Sequence, residues 1–512
     1  MRKLAVLEMD IRACKMMILE YCDKEHVNVV EECSEPLEIW RDIEEDNIIK
    51  PIRTQEVMNI LKSYKQLMEI HGVAEVVGYS TQVLKTVKNH RSFIEELHNT
   101  LGIRFDVLSD DELSKCIHLC NAYTMEHLKS IVVFIENEVV HFLKYNRRNI
   151  IEHTSFDFGP YTLGKIFEEK IKNLTPEERM EKLVKFATEQ FEKVAYDPQV
   201  EESFKVIGMG SAFKIAGKLC RTGKRMALSL EHNFELDAAS FDQVYNFVKG
   251  LDVTKAQRIK GLNEERLKQE MEVLADAILT GTAIIKALFN RFNYPCIYIN
   301  SCGLISGKAY AEINNIFGDR PIGDILTRSL EACNYFYDRE EFNALDVCET
   351  ACELFDELRI LHRFSKPQLK ILKIAAYFAN CGRRVNYYNF EKISFNIVLN
   401  SKIYGASQKE ILLAAFVCAT QNLEDFDFAL WAKYKDILKE DDIEIVKKLG
   451  VIVRLARLIS KGKACDHIDC DILGDKCILN VVPKYNKTCH LIEVKKCATD
   501  FAKVFGKQLQ VL

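Results

Sequence analysis

Proline and glycine are scarce in this chain, with 9 and 22 residues respectively among 512. So few turn-forming residues leave little room for low-complexity linkers, and we expect closely packed domains. Long apolar runs are also missing. The longest, Ile411 to Ala419, has nine residues, against the roughly 20 that span a bilayer. An export signal is absent too, because Glu8 and Asp10 stop the first apolar run. These absences predict a soluble, cytoplasmic protein with no membrane partner.

An excess of basic charge is lacking as well. The net charge is -5 and the isoelectric point is near 6.2. No concentrated Lys/Arg run with interleaved aromatic residues occurs, so nucleic acid is not expected as a partner. What is present is ordinary globular chemistry, with 48% hydrophobic and 28% charged residues. At this length three or four domains are expected.

Eighteen cysteines are scattered along the chain, many of them inside apolar helical stretches. They are interpreted as reduced, buried thiols. A group near the C-terminus raises the alternative of zinc, but its spacing lacks the paired C-x2-C of structural zinc sites. This group comprises Cys465, His467, Cys470, Cys477, Cys489 and His490.

Alternating strand and helix patterns divide the chain into four predicted domains, 1–125, 126–318, 319–462 and 463–512. The first two repeat one order of elements, in which paired strands are followed by helices and further strands, so we expect a duplicated two-lobed structure. Clefts between lobes are common ligand sites. The third domain is predicted to be helical. In the fourth, the runs CILNVVP and HLIEVKK are predicted strands, followed by a helix around ATDFAKVFGK.

Four segments carry candidate motifs, and they follow one another along the chain in this order: VLEMDIRACK, STQVLKTVKN, VLSDDELSKC and FIENEVVH. Their order and spacing resemble the exopolyphosphatase and guanosine pentaphosphate phosphohydrolase (Ppx/GppA) family. That resemblance spans nearly the whole chain. It implies two actin-like ATPase (ribonuclease H-like) α/β lobes, an all-α HD-like domain and a small α/β C-terminal cap.

The chain departs from the family's phosphate-binding turns. In the first turn Glu8 stands where the resemblance places an aspartate, and Asp10 replaces a glycine. In the fourth segment Glu136, Asn137 and Glu138 replace three glycines whose amides hold phosphate, and His141 replaces a glutamate. Carboxylates at these places repel an anionic ligand. An ordinary hairpin turn is the simpler interpretation of the first segment.

The second and third segments are altered too. Lys85 stands where the resemblance implies a phosphate-contacting arginine, and it can hold phosphate only as a point charge. The resemblance places a general base at position 113, which is Leu113 here, directly after Asp111 and Glu112. Glu112 can replace the base only through a one-residue shift. The alternative is a solvated helix N-terminus.

Other residues of the family's motifs are retained, and most of them are glycines. Gly159 lies in the element SFDFGPYTL, and LADAILTG retains Asp276. The strand-to-helix turn of VIGMGSAFKIAG retains Gly208, Gly210 and Ser211, which are candidates for phosphate binding or, alternatively, purely structural residues. The HD-like metal centre is lost, since other residues stand at its ligand positions: Asn343, Ala379, Asn380 and Ile393.

These observations predict a non-catalytic or very weak sensor or scaffold, with an active exopolyphosphatase or pentaphosphate phosphohydrolase as the alternative. Candidate catalytic residues are Glu8, Asp111 and Glu112, and candidate phosphate-binding residues are Lys85, Gly208, Gly210 and Ser211. No metal site and no cofactor are expected, and Mg²⁺ enters only if the chain is an enzyme. The expected partners are a second copy of the chain, as the resemblance implies, and a protein or phosphorylated small ligand in the interlobe cleft.

Overall fold

The computed structural model describes residues 1–147, 149–171, 173–194, 203–259, 271–318, 323–337, 343–462, 465–483 and 491–512. It divides the chain into two compact units. The first comprises Met1–Arg225 and Glu231–Ile322, and the second comprises Met226–Leu230 and Gly323–Leu512. Within the described residues, no helix is long and apolar enough to cross a membrane.

The first lobe is built on a five-stranded sheet in the order β3-β2-β1-β4-β5. Strands β1 to β3 form an antiparallel meander, and β4 and β5 run parallel to β1. The strands are β1 (Arg2–Met9), β2 (Ala13–Tyr21), β3 (Val27–Pro36), β4 (Glu75–Ser80) and β5 (Phe105–Val107). The sequence pattern missed β3, whose residues are mostly half-exposed or exposed because it forms the sheet edge.

The second lobe repeats this plan. Its sheet has the order β10-β11-β9-β6-β7-β8, in which β6 to β8 form the meander and β9 and β11 follow in parallel. A further edge strand, β10, is antiparallel to β11. The strands are β6 (Lys129–Ile135), β7 (Val140–Asn146), β8 (Asn149–Phe156), β9 (Lys205–Met209), β10 (Phe234–Asp237) and β11 (Cys296–Asn300). The expected duplication is therefore present at the level of sheet topology.

Helices cover both sheets. They are Ile39–Glu45, Pro51–His71, Gln82–Lys85, His90–Leu101, Asp110–Thr124, Pro160–Ile171, Pro176–Phe191, Ser211–Gly223, Ala238–Val248, Val253–Gln257, Met271–Phe292 and Leu304–Phe317. Two helices stop where the sequence pattern predicts, at Gly72 and Gly102, which adopt left-handed conformations. The predicted start of the long helix near Asn263 lies outside the described residues.

The two lobes share one apolar core. It contains Leu4 and Val6 of β1, Val132 and Phe134 of β6, and also Leu113. Burial of these side chains from both sheets in one cluster fixes the lobes against each other along the ends of β1 and β6.

The second unit is mostly helical. Its helices are Ile325–Tyr337, Ala344–Glu357, Arg359–His362, Lys366–Phe378, Phe390–Asn400, Gln408–Ala419, Phe428–Ala432, Asp442–Ile459, Leu491–Lys495 and Ala498–Phe505. They enclose a core of their own, which reaches into a three-stranded sheet. That sheet has the order β12-β13-β14, with β12 (Cys465–Leu473), β13 (Lys476–Pro483) and β14 (Gln508–Val511).

One predicted element of this unit is wrong. The run HLIEVKK, expected as a strand, contains the helix Leu491–Lys495. Val494 and Cys497, three residues apart, are both fully buried. That spacing places the two side chains on one side of a helical turn, which a strand with its period of two does not allow.

Candidate functional site

The first candidate turn lies at the carboxyl end of β1, between Met9 and Ala13. The Asp10 amide donates a hydrogen bond to the Ala13 carbonyl at 2.9 Å. Oxygen Oδ1 of Asp10 accepts bonds from the Ile11 amide at 2.7 Å and from the Thr81 hydroxyl at 3.1 Å. Two amides of this turn are therefore engaged within the protein, so they are not available to hold a phosphate in this conformation.

Glu8 precedes that turn and is buried. Its carboxylate pairs with Lys15 Nζ at 2.6 Å and accepts a hydrogen bond from the Tyr79 hydroxyl. Burial by itself raises the pKa of Glu8, but the charge and hydrogen bond of Lys15 and the bond from Tyr79 outweigh it and hold the pKa below its usual value. Glu8 is thus an ionised, internally paired carboxylate that joins three strands of the first sheet.

The second candidate turn connects β6 to β7 and carries Glu136, Asn137 and Glu138. The Glu136 amide donates to the Val139 carbonyl at 2.9 Å, and the Asn137 carbonyl accepts from the Tyr161 amide at 2.9 Å. A Cβ atom added to Gly159 would lie 2.4 Å from the carbonyl oxygens of Glu136 and Asn137. Gly159 is therefore retained for close packing of the chain against this turn.

Carboxylates from both turns meet between the lobes. Asn137 Nδ2 lies 3.5 Å from Asp10 Oδ2, which places the turns side by side. Burial, followed by the charges of Asp10 and Glu136, raises the pKa of Glu138 well above its usual value, and Arg12 opposes this shift. Burial also raises the pKa of Asp10, Lys15 opposes it, and Glu136 and Glu8 add to it. The site is strongly acidic.

Glu138 is the most constrained of these groups. Its side chain is 7% exposed, and its buried Oε1 atom has no hydrogen-bond partner. A buried carboxylate without a partner is costly, so the protonated form is favoured over the ionised one.

Aromatic and charged side chains make contacts between the two lobes, starting from Arg12 of the first turn. The Arg12 guanidinium carbon lies 3.8 Å from the ring centroid of Tyr161 and 5.0 Å from that of Trp40. The rings of Trp40 and Tyr161 make an edge contact at 6.0 Å. Glu44 accepts a hydrogen bond from the Tyr161 hydroxyl and pairs with Lys165 at 3.3 Å. These contacts join the first lobe to the helix Pro160–Ile171 of the second.

A chain of titratable side chains leads away from the same turn. Glu136 Oε2 lies 3.3 Å from His141 Nε2, and His141 Nδ1 lies 3.3 Å from His153 Nε2. Burial, followed by the charge of His141, lowers the pKa of His153, while Asp110 and Asp111 oppose the shift. The sequence singled out His141 as a replaced glutamate but gave no sign of His153, because only the pairing of β7 with β8 brings the two imidazoles together.

The candidates Asp111 and Glu112 lie at the start of the helix Asp110–Thr124. Ser109 and Glu112 form a reciprocal capping box, in which Glu112 Oε2 accepts from the Ser109 amide at 2.9 Å and from its hydroxyl at 2.8 Å. These bonds lower the pKa of Glu112. Asp111 is exposed, and Leu113 is buried in the core shared by the lobes. The capping box thus holds Glu112 at the position expected for a solvated helix start.

From the second predicted segment, Thr81 bonds Asp10 of the acidic site. Lys85 is exposed at the end of the short helix Gln82–Lys85. Asn89 has a structural role, since its side-chain amide bonds both the amide and the carbonyl of Ile49 at 2.9 Å.

The glycine turn after β9 is shaped by packing. A Cβ atom on Gly208 would lie 2.5 Å from the Phe213 ring, and one on Gly210 would lie 2.1 Å from the Ile135 carbonyl oxygen. Gly210 also has a positive φ of 107°. Ser211, which is exposed, begins the helix Ser211–Gly223 directly after it. The turn therefore lies beside the end of β6, one residue before Glu136.

Magnesium is the cation that the resemblance implies for this site, and oxygen ligands suit it. Among the residues that the structure describes, however, the carboxylates of Asp10, Glu136 and Glu138 do not bring three ligand atoms within 4.8 Å of one another. These acidic side chains are near neighbours without forming a compact set of three ligands, so any Mg²⁺ here would depend on water or a phosphate for most of its coordination.

Three side chains of the C-terminal cysteine group lie in the described part of the chain. Cys470 and Cys477 approach to 3.3 Å between their sulfur atoms, and His467 bonds Glu353 at 3.2 Å and Asp469 at 2.8 Å. Nothing is described for Cys489 or His490, nor for the side chains of Cys465 and Asp276. Of the HD-like positions, Ala379 and Asn380 are buried, and the relation of this unit to HD domains stays a prediction.

Two sheets of one topology, joined by a common core and meeting at an acidic turn pair, define a protein of the actin-like ATPase fold. The chain belongs to the Ppx/GppA phosphatase family. The family model matches residues 20–315, and the model of Ppx/GppA phosphatase domain III matches residues 325–495. The family assignment made from the sequence is confirmed.

Known structures resemble the first unit in fold. A Ppx/GppA family member from Aquifex aeolicus is 17% identical, with a TM-score of 0.52, and the match covers 62% of this chain and 99% of that one. An exopolyphosphatase from Cytophaga hutchinsonii is 15% identical, with a TM-score of 0.51, covering 61% and 98%. Identities this low show the fold alone, which the duplicated sheets already indicate.

A curated relative is the bifunctional 3-dehydroquinate synthase/phosphatase of Fusobacterium nucleatum. It is 20% identical over 329 residues, which is 61% of this chain and 46% of that protein. This chain therefore spans about half of that relative's length.

Proposed function

We propose that this chain is a non-catalytic, or very weakly catalytic, member of the Ppx/GppA phosphatase family that acts as a sensor or scaffold. The observation that carries the proposal is the buried Glu138, whose carboxyl group lies beside Asp10 and Glu136. These carboxylates occupy the turns at which a phosphate-binding relative needs backbone amides. An ionised carboxylate at these turns repels an anionic ligand, and the side chain of Glu138 adds bulk there in either protonation state.

The residue at the position that the resemblance gives to the general base supports the same proposal. Hydrolysis of a phosphoric anhydride requires a group that accepts a proton from water, within hydrogen-bond reach of it. Leu113 belongs to the apolar core. Moving Glu112 into its place would break the capping box with Ser109, which is worth about 1 kcal/mol.

The contacts between the lobes favour a protein partner over a free ligand in this proposal. Arg12, Trp40 and Tyr161 pack together where the lobes meet, so a phosphorylated small molecule that binds between the lobes competes with these contacts. A protein that binds the outer surface of the lobes has no such barrier. We propose no resident cofactor for this state, and a cytoplasmic setting suits the many cysteines.

The first prediction is a lack of hydrolysis. Purified protein incubated with long-chain polyphosphate and Mg²⁺, or with guanosine pentaphosphate, should release no phosphate above the background of a heat-denatured sample. Malachite-green detection over hours measures this with high sensitivity. Turnover in the ordinary enzyme range of about 1 to 1,000 per second would contradict the proposal.

The second prediction distinguishes two reasons why polyphosphate would not bind: the negative charge of Glu136 and Glu138, and the volume of their side chains. If repulsion excludes polyphosphate, then the double variants Glu136→Gln/Glu138→Gln and Glu136→Gly/Glu138→Gly should both bind it, with an affinity that falls as salt rises. If the side-chain volume is the obstacle, only the glycine variant gains affinity. Fluorescence anisotropy with labelled polyphosphate measures both.

The matched control is Glu95→Gln/Glu96→Gln, which removes two exposed charges from the helix His90–Leu101 and should leave binding unchanged. If both cleft variants fold normally, as judged by circular dichroism, yet bind no better than the parent, then neither repulsion nor bulk excludes the ligand. Adding Leu113→Glu to the glycine variant then tests hydrolysis separately.

The second candidate function is an active exopolyphosphatase or guanosine pentaphosphate phosphohydrolase that uses Mg²⁺. One observation favours it: the Glu136, His141 and His153 chain offers a proton acceptor beside the site. In this case the hydrolysis assay is positive and His153→Gln lowers kcat, whereas the sensor proposal expects no activity in either protein.

A further inference from the structure

We propose that Cys22, Asp23 and His26 form a binding site for Zn²⁺ in the turn between β2 and β3. This is the one group of three or more potential metal-ligating side chains, among the described residues, whose ligand atoms all lie within 4.8 Å of one another. Its members supply three different donors: a thiolate, a carboxylate and an imidazole.

The aspartate is already oriented for this role. Asp23 Oδ1 accepts hydrogen bonds from the amides of Glu25 at 2.7 Å and His26 at 2.8 Å, which fixes the plane of the carboxylate. Its second oxygen, Oδ2, lies 2.8 Å from His26 Nδ1 and 3.6 Å from Cys22 Sγ. Oδ1, which bonds the two amides, also lies 3.0 Å from His26 Nδ1, and Oδ2 is near both remaining donors.

These separations suit a tetrahedral ion. With Zn–S near about 2.3 Å and Zn–O near about 2.1 Å, the tetrahedral angle separates sulfur and oxygen by about 3.6 Å. The separation of Oδ2 and Cys22 Sγ has this value. Nitrogen and oxygen ligands should lie about 3.4 Å apart, so the His26 ring needs to move about half an ångström from its hydrogen-bonded position.

The donor chemistry selects zinc. Thiolate and imidazole together favour Zn²⁺ over the hard cations Mg²⁺ and Ca²⁺. Binding requires that the Cys22 thiol lose its proton to solvent and that His26 present Nδ1 without a proton. The thiolate and carboxylate then neutralise the ion. The fourth position remains open to water or to a ligand from a partner protein.

This site is remote from the acidic turns. Strand β1 pairs with β2 so that Arg2 lies opposite Tyr21 and Met9 lies opposite Cys14. The turn Cys22–His26 is therefore at the opposite end of β1 from Asp10, roughly 25 Å away at the rise of an extended strand. The proposal does not depend on the proposed function, and neither test decides the other.

The spacing C-D-x2-H is only a weak indication of a metal site in the sequence, since the motif is short and lies in a turn. The structure adds that the three ligand atoms lie close together. Cys22 is exposed, unlike the buried thiols that the helices enclose.

The test uses the full-length protein freed of metal with a chelator. Titration with Co²⁺ should give one equivalent of tetrahedral ligand-field bands and a thiolate charge-transfer band, and Zn²⁺ should displace it. Cys22→Ser and His26→Gln should each weaken binding at least about 10- to 100-fold, since loss of a direct ligand costs no less than loss of a supporting one. Asp23→Asn keeps an acceptor for both amides but removes the anionic ligand, and should weaken binding similarly.

Cys33→Ser is the matched control, because Cys33 is a half-buried thiol on the adjacent strand β3 outside the proposed ligand set. This variant should bind one equivalent of Co²⁺, as the parent protein does. Zn²⁺ should also raise the thermal midpoint of the parent and of Cys33→Ser, but not that of Cys22→Ser. If Cys22→Ser retains the parent's Co²⁺ bands, or if no cobalt bands form in the parent, the site does not exist.

Discussion

The side chain at position 138 shows how a single residue changes a phosphate-binding turn. A glycine there leaves space and a free amide, whereas Glu138 places a buried oxygen atom without a hydrogen-bond partner beside other carboxylates. The sequence predicted the charge of the turn. The structure adds that the side chain is buried, in a turn whose backbone is bonded by the Thr162 hydroxyl at 3.2 Å and packed closely by Gly159.

Glu138→Gln should stabilise the protein at neutral and alkaline pH. Glutamine keeps the shape of the side chain but has no charge to desolvate. We expect a gain of about 1 to 3 kcal/mol in the free energy of unfolding at pH 8 and little change at pH 4.5. Urea denaturation at the two pH values measures the difference.

The direction of this pH dependence of stability follows from the raised pKa of Glu138. Below the ordinary pKa of 4.5, Glu138 carries its proton in both the folded and the unfolded chain. Its ionisation therefore takes nothing from the free energy of unfolding in that pH range. As pH rises through the folded-state pKa, the folded protein must ionise a buried group, and stability is lost. The exposed residue Glu96, changed to Gln, is the control. Equal pH dependence of the parent and Glu138→Gln would show that Glu138 ionises freely.

Among the elements, the turn between β9 and the helix Ser211–Gly223 is the most tightly specified. Gly210 combines a positive φ with a close approach to the Ile135 carbonyl. The sequence identified this glycine but left open whether phosphate or packing requires it. The contact with β6 accounts for the glycine without a ligand.

Gly210→Ala should destabilise the protein by roughly 2 to 4 kcal/mol, since the new methyl group must displace a backbone oxygen and adopt a strained φ. Gly102→Ala is the control, with a positive φ of 72° and no atom within 4 Å of the added Cβ. It should cost only about 1 kcal/mol. Chemical denaturation measures the free energy of unfolding of both variants. Similar losses of stability in the two variants would contradict the explanation by packing.

At the scale of the whole molecule, the duplication of one sheet order places the ends of β1 and β6 side by side. That symmetry brings the two altered turns together, so substitutions distant in sequence create one acidic site. The second unit has its own core, and its predicted relation to HD domains concerns that unit alone.

We expect the chain to form a homodimer through its C-terminal region, as the family resemblance implies. Sedimentation velocity at micromolar concentration should give a species near twice 59.0 kDa. A concentration-independent species of single mass would show that the chain is monomeric.

The sequence alone determined the family, the two-lobed α/β fold and the loss of the glycine cradle, because apolar periodicity and motif order are local properties. It missed β3, β10, β12 and β14, and it assigned the helix Leu491–Lys495 as a strand. These four strands all lie at sheet edges, and such strands gain their stability from neighbours that the local pattern does not contain. Only the tertiary structure decided that Glu8 pairs with Lys15 and that His141 meets His153. Each of these depends on which strands lie side by side, and burial and charge proximity then set how the groups ionise.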